Sequence, residues 1–339
     1  MGRCKLEEFI SYEQPTKYIV DSNQYDDSYK IPVLTAGKSF ILGYTDEKNN
    51  IFDNLPVIIF DDFTTSVQFV DFPFKVKSSA MKLLKNTEQA DIKYCYYLLK
   101  FLQHTPENHK RQWLSATSQN IVELPIIEKQ KNIVRKLDKI LEVIDNQNKQ
   151  LELLDEAIKA RFVEMFGEIE DYDKWESKIW NEVVTIKNGR DYKKVLVSDG
   201  GYPVVGTGGE IARASKYLCP ENTIVVGRKG SINNPMLMKE KFWNVDTAFG
   251  VIPNSDYLHY QYFYCFCKFY NFMKLNKATT LPSTTKADLL KIRINIPPLE
   301  LQNQFASFVE EIDKSRSRIQ KSLEASQELF DSLMQEYFG

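Results

Sequence analysis

The stretch PIIEKQKNIVRKLDKILEVIDNQNKQLELLDEAIKARFVEMFG, residues 125–167, decides how this chain is read. It returns without a gap at 297–339, opening as PPLELQ and closing as EYFG. Eleven of the 43 aligned positions are identical, from Pro125, Glu128 and Gln130 to Phe166 and Gly167, which marks one repeated unit. An echo upstream, IPVLTAGK at 31–38 and YPVVGTGG at 202–209, extends the repeat beyond these segments. The chain therefore alternates: a globular segment, a helix, a second globular segment, a second helix.

Within each copy the apolar positions step by four and three. The first seam is Ile133, Leu137, Ile140, Ile144, Leu151, Leu154 and Ile158; the second is Phe305, Val309, Ile312, Ile319, Leu323, Phe330 and Leu333. Sustained over about five heptads, this spacing is that of a coiled coil. A stripe of this kind on a lone helix would face water, so it needs a partner, and the two copies supply each other. In an antiparallel pair the polar interruptions Gln147, Arg161, Arg316 and Ser326 each face an apolar residue. Proline precedes each helix, and Gly167 and Gly339 follow as stops.

The expected fold is α/β of the α+β kind. It comprises two similar globular units separated by two long helices that form an antiparallel coiled coil, with a pseudo-twofold internal repeat. The expected boundaries are 1–124 and 175–296 for the globular units, 125–167 and 297–339 for the helical segments, and 168–174 for an acidic linker. In the globular units Val57-Ile58-Ile59-Phe60 and Thr223-Ile224-Val225-Val226 are buried-strand candidates, and aromatic-rich helix patterns cover 91–103 and 257–274. The text before PIIEKQ is compressed relative to its repeat, so an irregular final strand or loop is expected there.

Charge is unevenly placed. Residues 174–298 hold 18 Lys and Arg against 10 Asp and Glu, whereas residues 1–128 hold 14 against 17, so one half is basic although the net charge is −2. No apolar run approaches a membrane span and the first residues carry no signal-peptide core, so cytoplasm is the expected location. Five scattered cysteines form no disulfide framework, and Cys265-Phe266-Cys267 lies in an aromatic run as buried thiols rather than metal ligands. His104, His109 and His259 show no ligand spacing, and Asp61-Asp62 reads as a loop cap or hydrogen-bond acceptor.

LTAGKS, residues 34–39, ends like a nucleotide-binding P-loop, but Pro32 stands where the pattern needs its first glycine. The residues that follow, Phe40 to Tyr44, are strand-like where a phosphate-binding loop requires a helix. The segment reads as a β-turn. Its repeat counterpart keeps a glycine and varies the next pair, which makes this turn a candidate for variable readout.

Two related units joined by paired helices suit double-stranded DNA contacted at two separated places. Candidate contacts in the second unit are Arg190, Lys193, Lys194, Thr207, Arg213, Lys216, Arg228, Lys229 and Ser231. Those in the first are Lys38, Ser39, Thr64, Thr65 and Ser66. The loop Arg228-Lys229-Gly230-Ser231 stands out, because Arg can read guanine bidentately and Gly admits a close backbone. Singly, such residues occur on any surface.

These motifs resemble the specificity (S) subunit of type I restriction-modification systems. The resemblance is carried by PIIEKQ and PPLELQ leading into heptads, EMFG and EYFG ending them, KNGRDYKK with YPVVGTGG, and IPVLTAGKSFILGYT. It implies two target-recognition domains, each reading one half of an asymmetric bipartite DNA site, with the helices setting the spacer and docking two methyltransferase (M) subunits. It also implies no catalysis and no cofactor on this chain and no membrane partner. S-adenosylmethionine would sit on M subunits, and ATP and Mg on restriction (R) subunits where these join. The rivals are a protein-binding scaffold or degenerate specificity subunit, and a nucleotide hydrolase acting through LTAGKS. The isolated chain is expected to show no ATP turnover. A turnover abolished by Lys38→Ala would restore the hydrolase reading.

Overall fold

A computed structural model describes residues 2–35, 39–106, 111–276 and 280–339. The chain divides into two units, residues 1–146 with 322–339, and residues 147–321. Each long helix, Ile127–Phe166 and Leu299–Phe338, is unbroken and contributes to both units.

In the first unit the central sheet is antiparallel, in the order Ile10–Glu13, Met81–Asn86, Val57–Asp61, Val67–Val70. The strand Val57–Asp61 is buried along its whole length because both faces are covered. Ile58 and Phe60 pack with Leu84 towards the helices, while Val57 and Ile59 pack with Leu83 and Met81 beneath a second sheet. That explains a continuous apolar run with no alternation. The second sheet orders Ile41–Thr45, Ile31–Leu34 and Lys75–Val76, the last pair parallel.

The second unit repeats this plan, with one extra edge strand, Leu196–Val197, in its second sheet. Its central sheet runs Val184–Asn188, Ala248–Pro253, Thr223–Gly227, Met236–Met238. Its second sheet runs Leu196–Val197, Gly209–Ala214, Tyr202–Gly206, Trp243–Asn244, again with a parallel last pair. In each unit the first strand also returns to the last before the long helix: Gly2–Lys5 pairs with Ile121–Leu124, and Ser177–Ile179 with Arg293–Asn295. Of the two places where irregularity was expected, the strand before PIIEKQ is regular. The compression falls instead on the short turns before it, Gln112–Ser115 and Thr117–Gln119.

One helix per unit covers the central sheet. Ile92–Phe101 begins at Asp91, whose carboxylate accepts from the Lys93 and Tyr94 amides at 2.9 and 3.0 Å. Tyr260–Phe269 begins at His259, whose Nδ1 accepts from the Gln261 amide at 3.2 Å. The helix predicted over 257–274 is therefore shorter. Tyr270 turns to extended backbone, and Asn271 caps a separate turn, Phe272–Leu275. Cys265 and Cys267 are buried on this helix, where burial pushes the Cys265 thiol up to about 12.

The helix pair is antiparallel within each unit. In the second, Phe162 and Phe166 sit 5.6 and 5.4 Å from Phe305, while Asp155 meets Arg316 further along. In the first, Lys136 lies beside Tyr337. Every seam position named from the sequence is buried or half-buried. Val134, Phe162, Phe166, Ala306 and Met334, off the strict seam, are buried as well, because near their ends the helices also pack on the globular part. Arg316 does not face an apolar residue as expected. It pairs with Asp155 of the opposite helix at 3.0 Å, and Lys268 of the covering helix joins the same carboxylate at 2.8 Å. Arg161 turns to Glu164 of its own helix, and the Ser326 hydroxyl donates back to the Ser322 carbonyl.

The Pro…Gln signature has a physical cause. Gln302 is fully buried; its amide donates to the Pro297 and Tyr257 carbonyls at 2.8 and 2.9 Å, and its oxygen accepts from the His259 amide at 2.8 Å. Gln130, equally buried, donates to Pro125 and Gln89 carbonyls at 2.7 and 3.1 Å and accepts from the Asp91 amide at 2.8 Å. Each glutamine thus ties the start of a long helix to the start of the helix covering the sheet. Gln302→Leu strands three backbone groups, one buried and two part-buried, and should lower stability by about 3 kcal/mol. Denaturant unfolding of the full chain checks this, with exposed Asn303→Leu as an unchanged control.

Candidate nucleic-acid interface

The second unit gathers part of its candidate set around one backbone spine, residues 243–247. Arg190 donates its amide to the Asn244 carbonyl at 3.0 Å, and its own carbonyl accepts from the Trp243 indole at 2.9 Å. Arg228 donates its amide to the Thr247 carbonyl at 2.8 Å and its guanidinium to the Asp246 carbonyl at 3.3 Å. The hairpin turn with Thr207 adjoins the same spine through the Val245 amide, which donates to Val205 at 3.1 Å. Arg190, Arg228, Lys229 and Ser231 are exposed and Thr207 half-buried.

Two glycines make the arrangement possible. A Cβ on Gly189 would fall 1.7 Å from the Val245 carbonyl oxygen, so only glycine lets the NGR segment cross the spine. A Cβ on Gly227 would lie 2.6 Å from the Ser231 oxygen, so the turn into Arg228-Lys229 is equally restricted. Beneath them Asn244 is fully buried and donates to the Lys187 and Ala248 carbonyls at 3.3 and 3.0 Å.

A second set of basic residues flanks Tyr192 and Val195, which pack against Trp243 and Val245 of the spine. Exposed Lys193 and Lys194 occupy one turn, and Lys216 follows Ser215, whose amide donates to the Val195 carbonyl at 2.8 Å. Arg213 is turned away into an ion pair with Glu210 at 2.8 Å.

The first unit uses its corresponding loop differently. Thr65 is buried with φ +57; its hydroxyl donates to the His104 carbonyl at 2.6 Å and accepts the His104 amide at 3.0 Å. It belongs to the scaffold of the turn and leaves the contact set, because its hydroxyl is already committed inside. Thr64 is exposed and Ser66 half-buried. Asp61 and Asp62 are hydrogen-bond acceptors. Asp61 takes the Phe63 amide at 2.8 Å and Asp62 the Trp113 amide at 2.9 Å. Ser39 is exposed; Lys38 lies outside the described residues. LTAGKS joins two antiparallel strands, and the Thr35 amide donates to the Phe40 carbonyl at 3.0 Å, so no helix follows to cradle a phosphate.

Two lysines of the first unit are spent inside it. Lys82 pairs with Asp62 at 3.3 Å with both side chains at 1% exposure, and Lys75 pairs with Glu47 at 2.6 Å. Burial by itself would raise the Glu47 carboxyl, but Lys75 and the Ser22 and Asp21 amides hold it below its ordinary range. Asp62 occupies the position after the central strand that Arg228 fills in the second unit. One is a buried anion and the other an exposed cation.

Over 96% of its length the chain is 31% identical to the specificity subunit of the type I restriction enzyme EcoR124I/EcoR124II of Escherichia coli, covering 89% of that protein. The chain belongs to the type I restriction-modification specificity subunits. A family model described as the type I restriction modification DNA specificity domain matches residues 172–327. The fold agrees. An S subunit from M. genitalium superposes with a TM-score of 0.68 at 15% identity, covering all of this chain and 96% of that one. A chain from a structure described as the basis of complex assembly and conformational transition of the type I R-M system gives 0.55 at 16% identity, covering 99% and 97%. At the family level a specificity subunit recognises DNA within a complex and is not its catalytic part.

The sequence missed the segment Leu281–Thr285, which backs the Arg228 loop. Its Ser/Thr-rich TLPSTT text, at the place where the first unit carries Gln112-Trp113, is the signal that could have found it.

Proposed function

We propose that the chain reads one asymmetric bipartite DNA sequence, each unit contacting one half, with the paired helices setting the gap. The observation that carries this is the repeated central sheet, alike in strand order in both units, whose two copies differ in the loop after the central strand: Arg228-Lys229-Gly230-Ser231 in one unit, Asp62-Phe63-Thr64-Thr65 in the other. Equal scaffolds with unequal loops suit two different half-sites. In the second unit Arg190, Arg228 and Lys229 supply base and phosphate contacts, with Lys193, Lys194 and Lys216 on backbone further along. In the first unit Lys75 and Lys82 are held internally, and Lys38, Ser39, Thr64 and Ser66 are the contacts proposed.

The helices also dock two methyltransferase subunits, which carry S-adenosylmethionine and methylate adenine; restriction subunits bring ATP and Mg. This chain contributes no reacting group. Co-expression with its methyltransferase partner, followed by mapping of methylated adenines, should return one two-part sequence with a fixed gap. Methylation without sequence preference would support the scaffold reading instead.

A further inference from the structure

We infer that Thr284 is the positioning residue of the Arg228–Ser231 loop, acting through the loop's backbone without touching DNA. This rests on the proposal that the loop faces DNA. Thr284 is 3% exposed in an otherwise open segment. Its hydroxyl donates to the Gly227 carbonyl at 2.8 Å and its amide to the Arg228 carbonyl at 3.0 Å. Beside it Ser283 bridges Lys229, and the Gly230 amide donates to the Pro282 carbonyl at 2.9 Å. Ser283 is itself held by its amide donating to the Asn276 side chain at 3.0 Å. The loop therefore has a wall on one side, Leu281–Thr285, and the spine 243–247 on the other.

The repeat supports the assignment. In the first unit the Gln112 amide donates to the Asp62 carbonyl at 2.8 Å, the same backbone bond made to the same loop position. The bond to the carbonyl after the central strand is thus a fixture of both units, although the side chains around it differ. What Thr284 adds is a second bond one residue earlier, to Gly227, the last residue of the strand. Losing it frees the carbonyl that sets the direction in which the Arg228 side chain leaves the strand. A bidentate base contact depends on direction, whereas a phosphate contact tolerates displacement.

The test uses the full chain in complex with its methyltransferase partner, on DNA carrying the sequence it methylates and on single-base changes of it. Thr284→Val keeps the shape and removes the donor. It should reduce discrimination at bases read by the second unit about tenfold, with the salt dependence of binding and the melting temperature near wild type. Thr284→Ser, which keeps the donor, should restore discrimination. Arg228→Ala should lose the same discrimination and also flatten the salt dependence. Wild-type discrimination in Thr284→Val beside a defective Arg228→Ala overturns the positioning role. Equal loss in Val and Ser variants with a lowered melting temperature also overturns it, as a purely structural effect. If Arg228→Ala and Lys229→Ala change nothing, the loop does not face DNA and the underlying proposal falls.

Discussion

A buried glutamine side chain at the start of each long helix is the interaction on which the remaining architecture hangs. The helix cannot cap itself there, because proline and isoleucine or leucine occupy its first positions. The glutamine amide instead satisfies two carbonyls and one amide from two separate pieces of chain. Left unpaired, those groups would each carry the desolvation penalty of a buried backbone dipole. The geometry that pairs them fixes the angle between the long helix and the helix covering the sheet. In the second unit the stacked Phe162–Tyr262 rings and their contacts with Phe166 and Phe305 then pack around that junction.

With the frame fixed twice in the same way, variation is confined to what the frame does not need. The loop after the central strand shows how far it can go. In the first unit it points a carboxylate inward against Lys82 and the Trp113 amide; in the second it points a guanidinium outward. A buried ion pair gives little net stability but is costly to break on one side, so it holds the first loop in a single conformation. The second loop reaches the same end by different means, through Gly227 and bonds from Leu281–Thr285.

The helices and their pairing were legible in the sequence because a 3.5-residue period is local and does not depend on what lies across it. The seams at Ile133–Ile158 and Val309–Leu333 are where the pattern places them. The central strands were legible for a similar reason, since an apolar run of four or five residues implies cover on both faces. What escaped was set by distant partners. Arg316 looks like a flaw in the seam until Asp155 is placed opposite it, and Thr65 looks like a surface donor until His104 is. The break after Phe269 depends on Asn271 capping the next turn, a competition that aromatic content hides. In the candidate interface, Arg228 and Lys229 were visible as residue types in a glycine turn. Thr284 was not, because its role exists only once residues 227 and 284 are brought together.

The two helices, in the function proposed, measure the distance between the DNA segments read. Inserting seven residues at matched seam positions of both helices keeps the knobs in register and lengthens each by about 10 Å. In complex with the methyltransferase partner, the inserted protein should methylate the same two half-sequences with their gap widened by about three base pairs. An unchanged gap, with methylation retained, would contradict it.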